Sequence, residues 1–474
     1  MTGETIHFGT DGWRAAIADE YTFANVRRVA QGFAHFVRRE WSWQNGIVVG
    51  YDRRFGSPEF ARAVADVLGA NGIPAFLVDR PCPTPVAAFS IAGVGAAGAV
   101  MITASHNPPS DNGFKIRTAS GAALPPASLE KVEAAVARVT PEQIREPGPA
   151  QSGQVKTFDP GSAYLRHVPN LLDLPGLRQR DRRVIVDAMY GSGAGWLPRL
   201  LQGGNLRVTE IHSEWNPAFP GLARPEPIPP QTDVLGDAVR EAQAAVGLAV
   251  DGDADRLGVV DEHGDFVDQL RTIALLAYYM LEHRDDRRPL VKTLTTSAML
   301  ERLGRLYDVP VHETGVGMKY VAPTMRDTNA VMGGEESGGY VFGLHMPERD
   351  GIVAGLFFLD LMVCEDKTPS QLVQMLFEKL GREYHYRRLD LRFPAAERAA
   401  IMSRMEAWAP ESIDGTPVAR RGDFDGFKYY LADESWLLVR FSGTEPLLRI
   451  YCETTSPDRV DRLLDIGRSA AGVP

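Results

Sequence analysis

The chain of 474 residues has little cysteine: Cys82, Cys364 and Cys452 are too few and too far apart for a disulfide framework or a zinc site, which fits a reducing cytosol. No run approaches the roughly 18–20 apolar residues that a membrane span requires. The first ten residues lack a basic-then-apolar signal pattern, so export is not expected and a cytoplasmic location is. Positive charge is also short: 51 Lys and Arg face 61 Asp and Glu, a formal net charge of −10. That sign disfavours nucleic acid and anionic membranes as partners, and it sits uneasily with an anionic small substrate. No Walker A sequence is present, so an ATP-driven kinase has no support. What remains is a composition of 44% hydrophobic and 24% charged residues, that of an ordinary soluble globular chain, long enough for three or four domains.

Helix and strand patterns alternate through most of the length. Residues 22–41 carry Phe23, Val26, Ala30, Phe33 and Val37 at helical spacing. Residues 47–51 form a short apolar run that exits at Asp52, as a buried strand does. Ser57-Pro58 reads as an N-cap and first helical position, with Gly69 or Gly72 as the stop. Further strands are expected over 73–78, 97–103, 184–186, 246–250, 290–295 and 309–313. Pro310 pushes the last of these to a sheet edge. Helices are expected over 270–281 and 351–363. The Pro-rich stretch 140–153 reads as a linker. From 384 the rhythm changes to a helix over 395–408, strands through 428–453 and a last helix over 457–466. The expected division is therefore 1–150, 151–262 and 263–383 as three similar α/β units, whose rhythm suggests one fold used three times, and 384–474 as a smaller α+β unit.

Four segments could carry chemistry. Thr103-Ala104-Ser105-His106-Asn107-Pro108 follows an apolar strand and continues through Asp111-Asn112-Gly113-Phe114-Lys115. A serine at a strand's carboxyl end is well placed to exchange a phosphoryl group, with His106 and Lys115 supplying charge or proton transfer. An ordinary Ser/Asn/Pro turn has the same composition. Asp251-Gly252-Asp253-Ala254-Asp255-Arg256 sets three carboxylates at i, i+2 and i+4, where Gly252 lets the backbone wrap around one hard cation. A solvated acidic turn and an EF-hand compete with that reading. Glu262 does fall at the twelfth EF-hand position, but Arg256 stands where the sixth requires Gly. Gly334-Glu335-Glu336-Ser337-Gly338-Gly339 suits vicinal sugar hydroxyls, or is a plain Gly-rich hairpin. Arg440-Phe441-Ser442-Gly443-Thr444-Glu445-Pro446, with Arg449 on the next strand, resembles an anion cradle or a structural loop. Gly93-Val94-Gly95-Ala96-Ala97-Gly98 matches the dinucleotide pattern by letter but runs from helix to strand, the reverse of the required order. Gly191-Ser192-Gly193-Ala194-Gly195 has the wrong glycine spacing.

A reactive serine, a cation loop, a sugar loop and a second anion site, one per unit, suit a substrate with phosphate at either end. That is the requirement of an intramolecular phosphoryl transfer. With these motifs, and with Phe8-Gly9-Thr10-Asp11-Gly12-Trp13-Arg14 at the start, the whole chain resembles the α-D-phosphohexomutase family. The resemblance implies four domains around a central cleft, three of one mixed α/β fold and a smaller C-terminal α+β domain. It implies that Ser105 is carried as phosphoserine and that Ser105, Asp251, Asp253 and Asp255 hold one Mg²⁺. Lys115, with Arg14 and His106 nearby, is then the candidate for proton transfer and charge stabilisation. Glu335 and Ser337 hold the sugar, and Arg440, Ser442, Gly443, Thr444 and Arg449, with Arg256 and Lys319, bind the rest of the substrate. Glucose 1,6-bisphosphate would be intermediate and activator. The partner expected is a small hexose phosphate, with the enzyme a monomer or homodimer. Glu335-Glu336-Ser337, followed by His345 and Glu348-Arg349-Asp350-Gly351, looks most like the phosphoglucomutase branch. Phosphoglucosamine mutases usually show Gln for the second Glu, and dual glucose/mannose enzymes often show Met. The sugar loop ends Gly338-Gly339, not with the His common in bacterial dual-specificity members, which leaves mannose open. A catalytically silent sugar-phosphate binder on the same fold is the remaining alternative.

Overall fold

The computed structural model describes residues 6–9, 11–146, 154–442 and 447–473. Six strands form the first sheet: β1 (Trp13–Ala16), β2 (Ile47–Tyr51), β3 (Ala75–Val78), β4 (Gly98–Ile102), β5 (Asp111–Thr118) and β6 (Val155–Phe158), in the order β1-β5-β4-β2-β3-β6. β2 and β4 are buried along their whole length, as parallel strands covered by helices on both faces must be. Helix Phe23–Glu40 starts where the Thr22 side chain accepts from the Asn25 N–H (3.2 Å). Helix Ser57–Ala70 begins one residue earlier than expected, with Gly56 as its cap. The Ser57 hydroxyl cannot cap because it donates to Asp52 Oδ1 (2.7 Å). Residues 111–115, quoted above as the continuation of the serine segment with no strand assigned to them, begin β5, held between β4 and β1 by antiparallel pairing. β6 lies beyond residue 150 and joins the first sheet through parallel pairing with β3.

The second sheet holds β7 (Arg183–Asp187), β8 (Arg207–Ile211), β9 (Val246–Val250), β10 (Leu257–Val260) and β11 (Phe266–Val267), in the order β11-β10-β9-β7-β8. The third holds β12 (Leu290–Thr293), β13 (Val311–Thr314), β14 (Met332–Gly334) and β15 (Tyr340–Phe342), in the order β13-β12-β14-β15. β13 lies at the edge, as Pro310 just before it requires.

Each of the three sheets contains the same run. A strand crosses over to a parallel neighbour on one side, crosses back to a parallel neighbour on the other, and then turns directly into an antiparallel strand. The strands are β2, β3, β4 and β5 in the first unit, β7 to β10 in the second and β12 to β15 in the third. The repeated rhythm expected from the sequence is thus a repeated topology. In each unit the closing hairpin carries one of the singled-out loops.

The fourth sheet is antiparallel throughout: β16 (His385–Arg392), β17 (Ser412–Ile413), β18 (Thr416–Gly422), β19 (Phe427–Leu431), β20 (Trp436–Phe441) and β21 (Leu447–Thr454). Helix Asp458–Ala471 packs on β20 and β21 and runs past the expected stop at 466, to Gly472 in the left-handed region. One contiguous apolar core runs through the first three units. The fourth has its own core and lends Trp436, Leu438 and Tyr451 to the larger one.

Candidate active site

The β4–β5 hairpin presents Ser105, which is buried and has φ 54°, a left-handed conformation rare outside glycine. Its strained turn is fixed from behind by Arg54, a residue the motif reading missed. Arg54 Nη2 donates to the carbonyls of Ser105 and Asn107 (2.6 Å each), and Nη1 to those of Pro108 (2.6 Å) and Asp111 (3.0 Å). Asp52 orients Arg54 by accepting its backbone N–H (2.9 Å) and facing its Nε at 3.3 Å. The only sequence signal was a charged Asp-Arg-Arg exit from an apolar strand. Ser105 Oγ donates to Asp251 Oδ2 (2.7 Å) and lies 3.3 Å from His106 Nδ1. Arg14 reaches the same loop, donating from Nη1 to Asn107 Oδ1 (2.8 Å).

The β9–β10 hairpin presents Asp251, Asp253 and Asp255, all buried, with one carboxylate oxygen of each within 4.8 Å of the others. The EF-hand alternative is excluded: a strand enters and a strand leaves, and Glu262 accepts from Thr368 Oγ1 (2.5 Å) instead of turning to the triad. A Cβ on Gly252 would stand 2.5 Å from the Ser105 carbonyl oxygen, so glycine is what lets the two loops touch. Asp253 Oδ1 and Asp255 Oδ1 are buried without a hydrogen-bond partner, a costly arrangement without a cation between them. Burial, then Asp255 and Asp253, push Asp251 well above the usual carboxylate range. This donor set fits a hard divalent cation that takes oxygen ligands.

Cations from β5 and the third unit offset that charge. Lys115 Nζ, fully buried, donates to Asp253 Oδ2 (2.6 Å) and Asp255 Oδ2 (3.0 Å) and lies 3.3 Å from Asp11 Oδ2. Burial opposes charge on Lys115, but Asp253, Asp255 and Asp11 outweigh it and raise its pKa. Burial likewise opposes charge on Asp253, yet Lys115 and the Thr84 hydroxyl hold its pKa low. Arg349 Nη2 donates to Asp11 Oδ2 (2.6 Å) and Asp255 Oδ2 (2.7 Å), and Nη1 to Glu335 Oε2 (3.3 Å). Arg117 pairs with Asp11 (2.8 Å) and with Glu348. Desolvation, then Arg256, Arg14 and Lys115, hold His106 well below its ordinary pKa and so neutral.

The β14–β15 hairpin carries Glu335, Glu336 and Ser337. It docks on the metal loop's strand through the Leu257 N–H, which donates to the Gly338 carbonyl (2.9 Å). Glu335 is buried beside Arg349, whereas Glu336 accepts from Thr295 (3.3 Å) and from Arg388 of β16 (3.2 Å). Ser337 is half-buried at the turn. Arg256 lies 3.4 Å from Glu226 and 3.9 Å from Asp255.

In the fourth unit, Arg440 pairs with Asp425 (3.2 Å), and Arg449 lies 3.9 Å from Asp390. These single, longer pairs leave guanidinium donors that suit an anion. Asp425 also accepts from the Val316 N–H (2.8 Å), three residues before Lys319, whose ammonium stands 5.2 Å over the Tyr320 ring. Ser442 is buried, and its N–H donates to the Leu447 carbonyl (2.8 Å). Gly443 and Thr444 lie outside the described residues. The structure thus joins Ser105, His106, Arg14, Lys115, the three aspartates and, through Arg349, Glu335. Asp11, Arg54, Arg117 and Arg388 were not singled out as site residues, because their partners lie far away in sequence.

Four domain families match in order: phosphoglucomutase/phosphomannomutase alpha/beta/alpha domain I over 5–143, domain II over 162–264, domain III over 268–380 and the C-terminal domain over 396–466. A phosphoglucomutase/phosphomannomutase of Thermococcus kodakarensis is 29% identical over 97% of both chains. A phosphoglucosamine mutase of Sorangium cellulosum is 31% identical over 94% of this chain and 88% of its own. Among solved structures, one from Thermus thermophilus, provisionally described as a phosphomannomutase, superposes with a TM-score of 0.85 at 32% identity over 99% of both chains. No helix among the described residues is long and apolar enough to cross a membrane. A fold repeated three times, a fourth antiparallel domain and relatives matched along nearly their full length lead to one assignment: the chain belongs to the α-D-phosphohexomutase family, intramolecular phosphotransferases of the isomerase class.

Proposed function

We propose that the chain is a phosphoglucomutase that interconverts glucose 1-phosphate and glucose 6-phosphate. The observation that carries this reading is the 2.7 Å hydrogen bond from Ser105 Oγ to Asp251, which sets a hydroxyl nucleophile against an acidic triad with two unpartnered oxygens. Asp251, Asp253 and Asp255, with an oxygen on Ser105, would hold one Mg²⁺, which when bound neutralises charge on the phosphoryl oxygens. Ser105 is carried as phosphoserine. Its Oγ–P bond breaks as the free sugar hydroxyl forms a new O–P bond, giving glucose 1,6-bisphosphate. The hydroxyl proton passes to a base in the cleft; Lys115, expected in that role, is held protonated by Asp253, Asp255 and Asp11, which leaves His106, 3.3 Å from Ser105 Oγ, as the candidate. Lys115, its ammonium fixed by two aspartates, serves charge stabilisation together with Arg14. The bisphosphate turns end for end, and its other phosphate is returned to Ser105. Glu335 and Ser337 hold the sugar hydroxyls in both orientations. Arg440, Ser442, Gly443, Thr444 and Arg449, with Lys319 and Arg256, receive the phosphate that is not reacting.

Glucose is favoured by the resemblance of the Glu335-Glu336-Ser337 loop to the phosphoglucomutase branch. The names of the relatives support a second reading, in which mannose or glucosamine phosphate is the substrate. A coupled assay with glucose 1-phosphate, mannose 1-phosphate and glucosamine 1-phosphate, each with Mg²⁺ and a trace of glucose 1,6-bisphosphate, decides between them. Intact-mass spectrometry should show an increment of about 80 Da for the phosphoryl group on Ser105. Turnover of none of the three sugars would leave a silent sugar-phosphate binder, and unchanged activity in Ser105→Ala would overturn the mechanism.

A further inference from the structure

The metal loop and the sugar loop are joined by one side chain, and a missing side chain makes room for it. A Cβ built on Gly339 would stand 2.3 Å from Arg349 Cδ and 3.1 Å from its Cγ, so any side chain at 339 evicts the stem of Arg349. The backbone that follows the arginine is clamped. The Asp350 N–H donates to the Tyr340 carbonyl (3.1 Å), and the Gly351 N–H to the Ala254 carbonyl within the metal loop (3.1 Å). From that anchored position the guanidinium spans Asp255 and Glu335, at 2.7 and 3.3 Å. A planar guanidinium fork directs its N–H groups along fixed directions, so two carboxylates it holds are set in a defined relative orientation, which the compact, freely rotating donors of an ammonium define less sharply. Glu335 needs such a hold: burial pushes its pKa up, and Arg349 is the first counter-charge opposing the rise.

We propose that Arg349, admitted by Gly339, is a specificity-determining positioning residue: it sets the Glu335 carboxylate in register with the Asp255 side of the metal loop, so that recognition of the sugar hydroxyls is aligned with the serine that exchanges the phosphoryl group. This rests on the reading of Glu335 as the sugar-binding carboxylate. Loss of the alignment lowers kcat/KM most for the sugar whose hydroxyls Glu335 fits best, and less for its epimers. A purely structural arginine would lower all of them alike.

The test is a double-mutant cycle of Gly339→Ala, Arg349→Ala and the pair, with Arg349→Lys as the conservative variant, assayed on glucose 1-phosphate, mannose 1-phosphate and glucosamine 1-phosphate. Gly339→Ala, which removes no charge, should lower kcat/KM for the preferred sugar by about 10- to 100-fold, the range for losing a charged hydrogen bond. It should also flatten the ratio between sugars. The double variant should be no worse than Arg349→Ala alone. Arg349→Lys should fall between wild type and Arg349→Ala, since it keeps the charge and loses the fork. Thermal melts identify any variant that fails to fold. If Arg349→Ala does, Gly339→Ala and Arg349→Lys carry the test. Wild-type sugar ratios in Gly339→Ala, equal losses on all sugars, or additive losses in the pair would overturn the proposal. Calorimetric binding of the same three sugar phosphates provides a second readout. A wild type that binds without turnover would therefore sink the assignment of function while leaving the coupling to be judged on binding ratios.

Discussion

At the Ser105 end of the cleft, Lys115, Arg117 and Arg349 meet Asp11, Asp253, Asp255, Glu335 and Glu348 in a buried network that crosses three domains. At the fourth-domain end, Arg440 and Arg449 each face a single acid among the described residues, Asp425 at 3.2 Å and Asp390 at 3.9 Å. The first region surrounds each cation with several carboxylates and leaves only the Oδ1 atoms of Asp253 and Asp255 facing the cation site, and that fixes geometry, because a buried ion is tolerated only when its partners are in place. The second leaves its arginines with a single acid each, and guanidinium groups so lightly paired suit an anion supplied from outside. An acidic chain can therefore take an anionic substrate: the placement of lightly paired cations decides binding, and the net charge of −10 describes the whole.

The comparison can be broken most directly at Ser105. Ser105→Ala should cut turnover by at least about a thousandfold while keeping the melting temperature near wild type, since chemistry at one end depends on a single oxygen. A kcat assay beside a thermal melt checks this. Chelation comes next. With EDTA, activity should fall by more than about a hundredfold and return on adding Mg²⁺, because the unpartnered oxygens of Asp253 and Asp255 lie at the reacting end only. At the other end Arg440→Ala should act on binding, raising KM by about 10- to 100-fold with a smaller change in kcat. A loss confined to kcat would show that the two ends are not divided in this way. Arg388→Ala, which removes a half-buried link between the fourth domain and Glu336, should cost less than about fivefold in kcat/KM.

An effect on stability, outside the ordering of activities, sharpens the comparison at the seam between the third and fourth domains. There Lys428 donates to the Leu294 carbonyl (2.5 Å) and to Glu313 (2.8 Å), and the second lysine, Lys292, lies 3.6 Å from the same glutamate. Burial, then Lys292, push Lys428 down to about 8 against the pull of Glu313. A lysine with a lowered folded pKa binds fewer protons folded than unfolded. Its penalty is thus fully present below about 8 and fades as the pH rises towards its unfolded value near 10.4. Wild type should therefore gain stability relative to Lys428→Met across that window, by about 3 kcal/mol at most. Urea melts at pH 7.5 and 10 measure the difference, and a gap that does not move with pH would refute it.

Local features were legible where local physics decides them. β2 and β9 match the expected runs to the residue, since each is a continuous apolar stretch closed by aspartate. The helix-to-strand context of Gly93–Gly98 was read correctly: Gly95 caps helix Thr84–Val94 and β4 follows. β5 was missed because Asp111-Asn112-Gly113 reads as a turn, and only its pairing with β1 and β4 makes it a strand. Arg54 was missed because its acceptors are carbonyls more than fifty residues away, which leave no mark on its own neighbourhood.

By itself the sequence determined the rhythm of three similar units and a different fourth, the spacing that sets three aspartates on one turn, and the serine at a strand's end. These follow from propensity, periodicity and the reach of a few residues. The tertiary structure alone decided which charges are spent and which are left free. The contact of Arg349 with Asp11 spans 338 positions, and its path over Gly339 depends on an absent side chain. No local pattern encodes either one, because burial and ion pairing are properties of the packed whole.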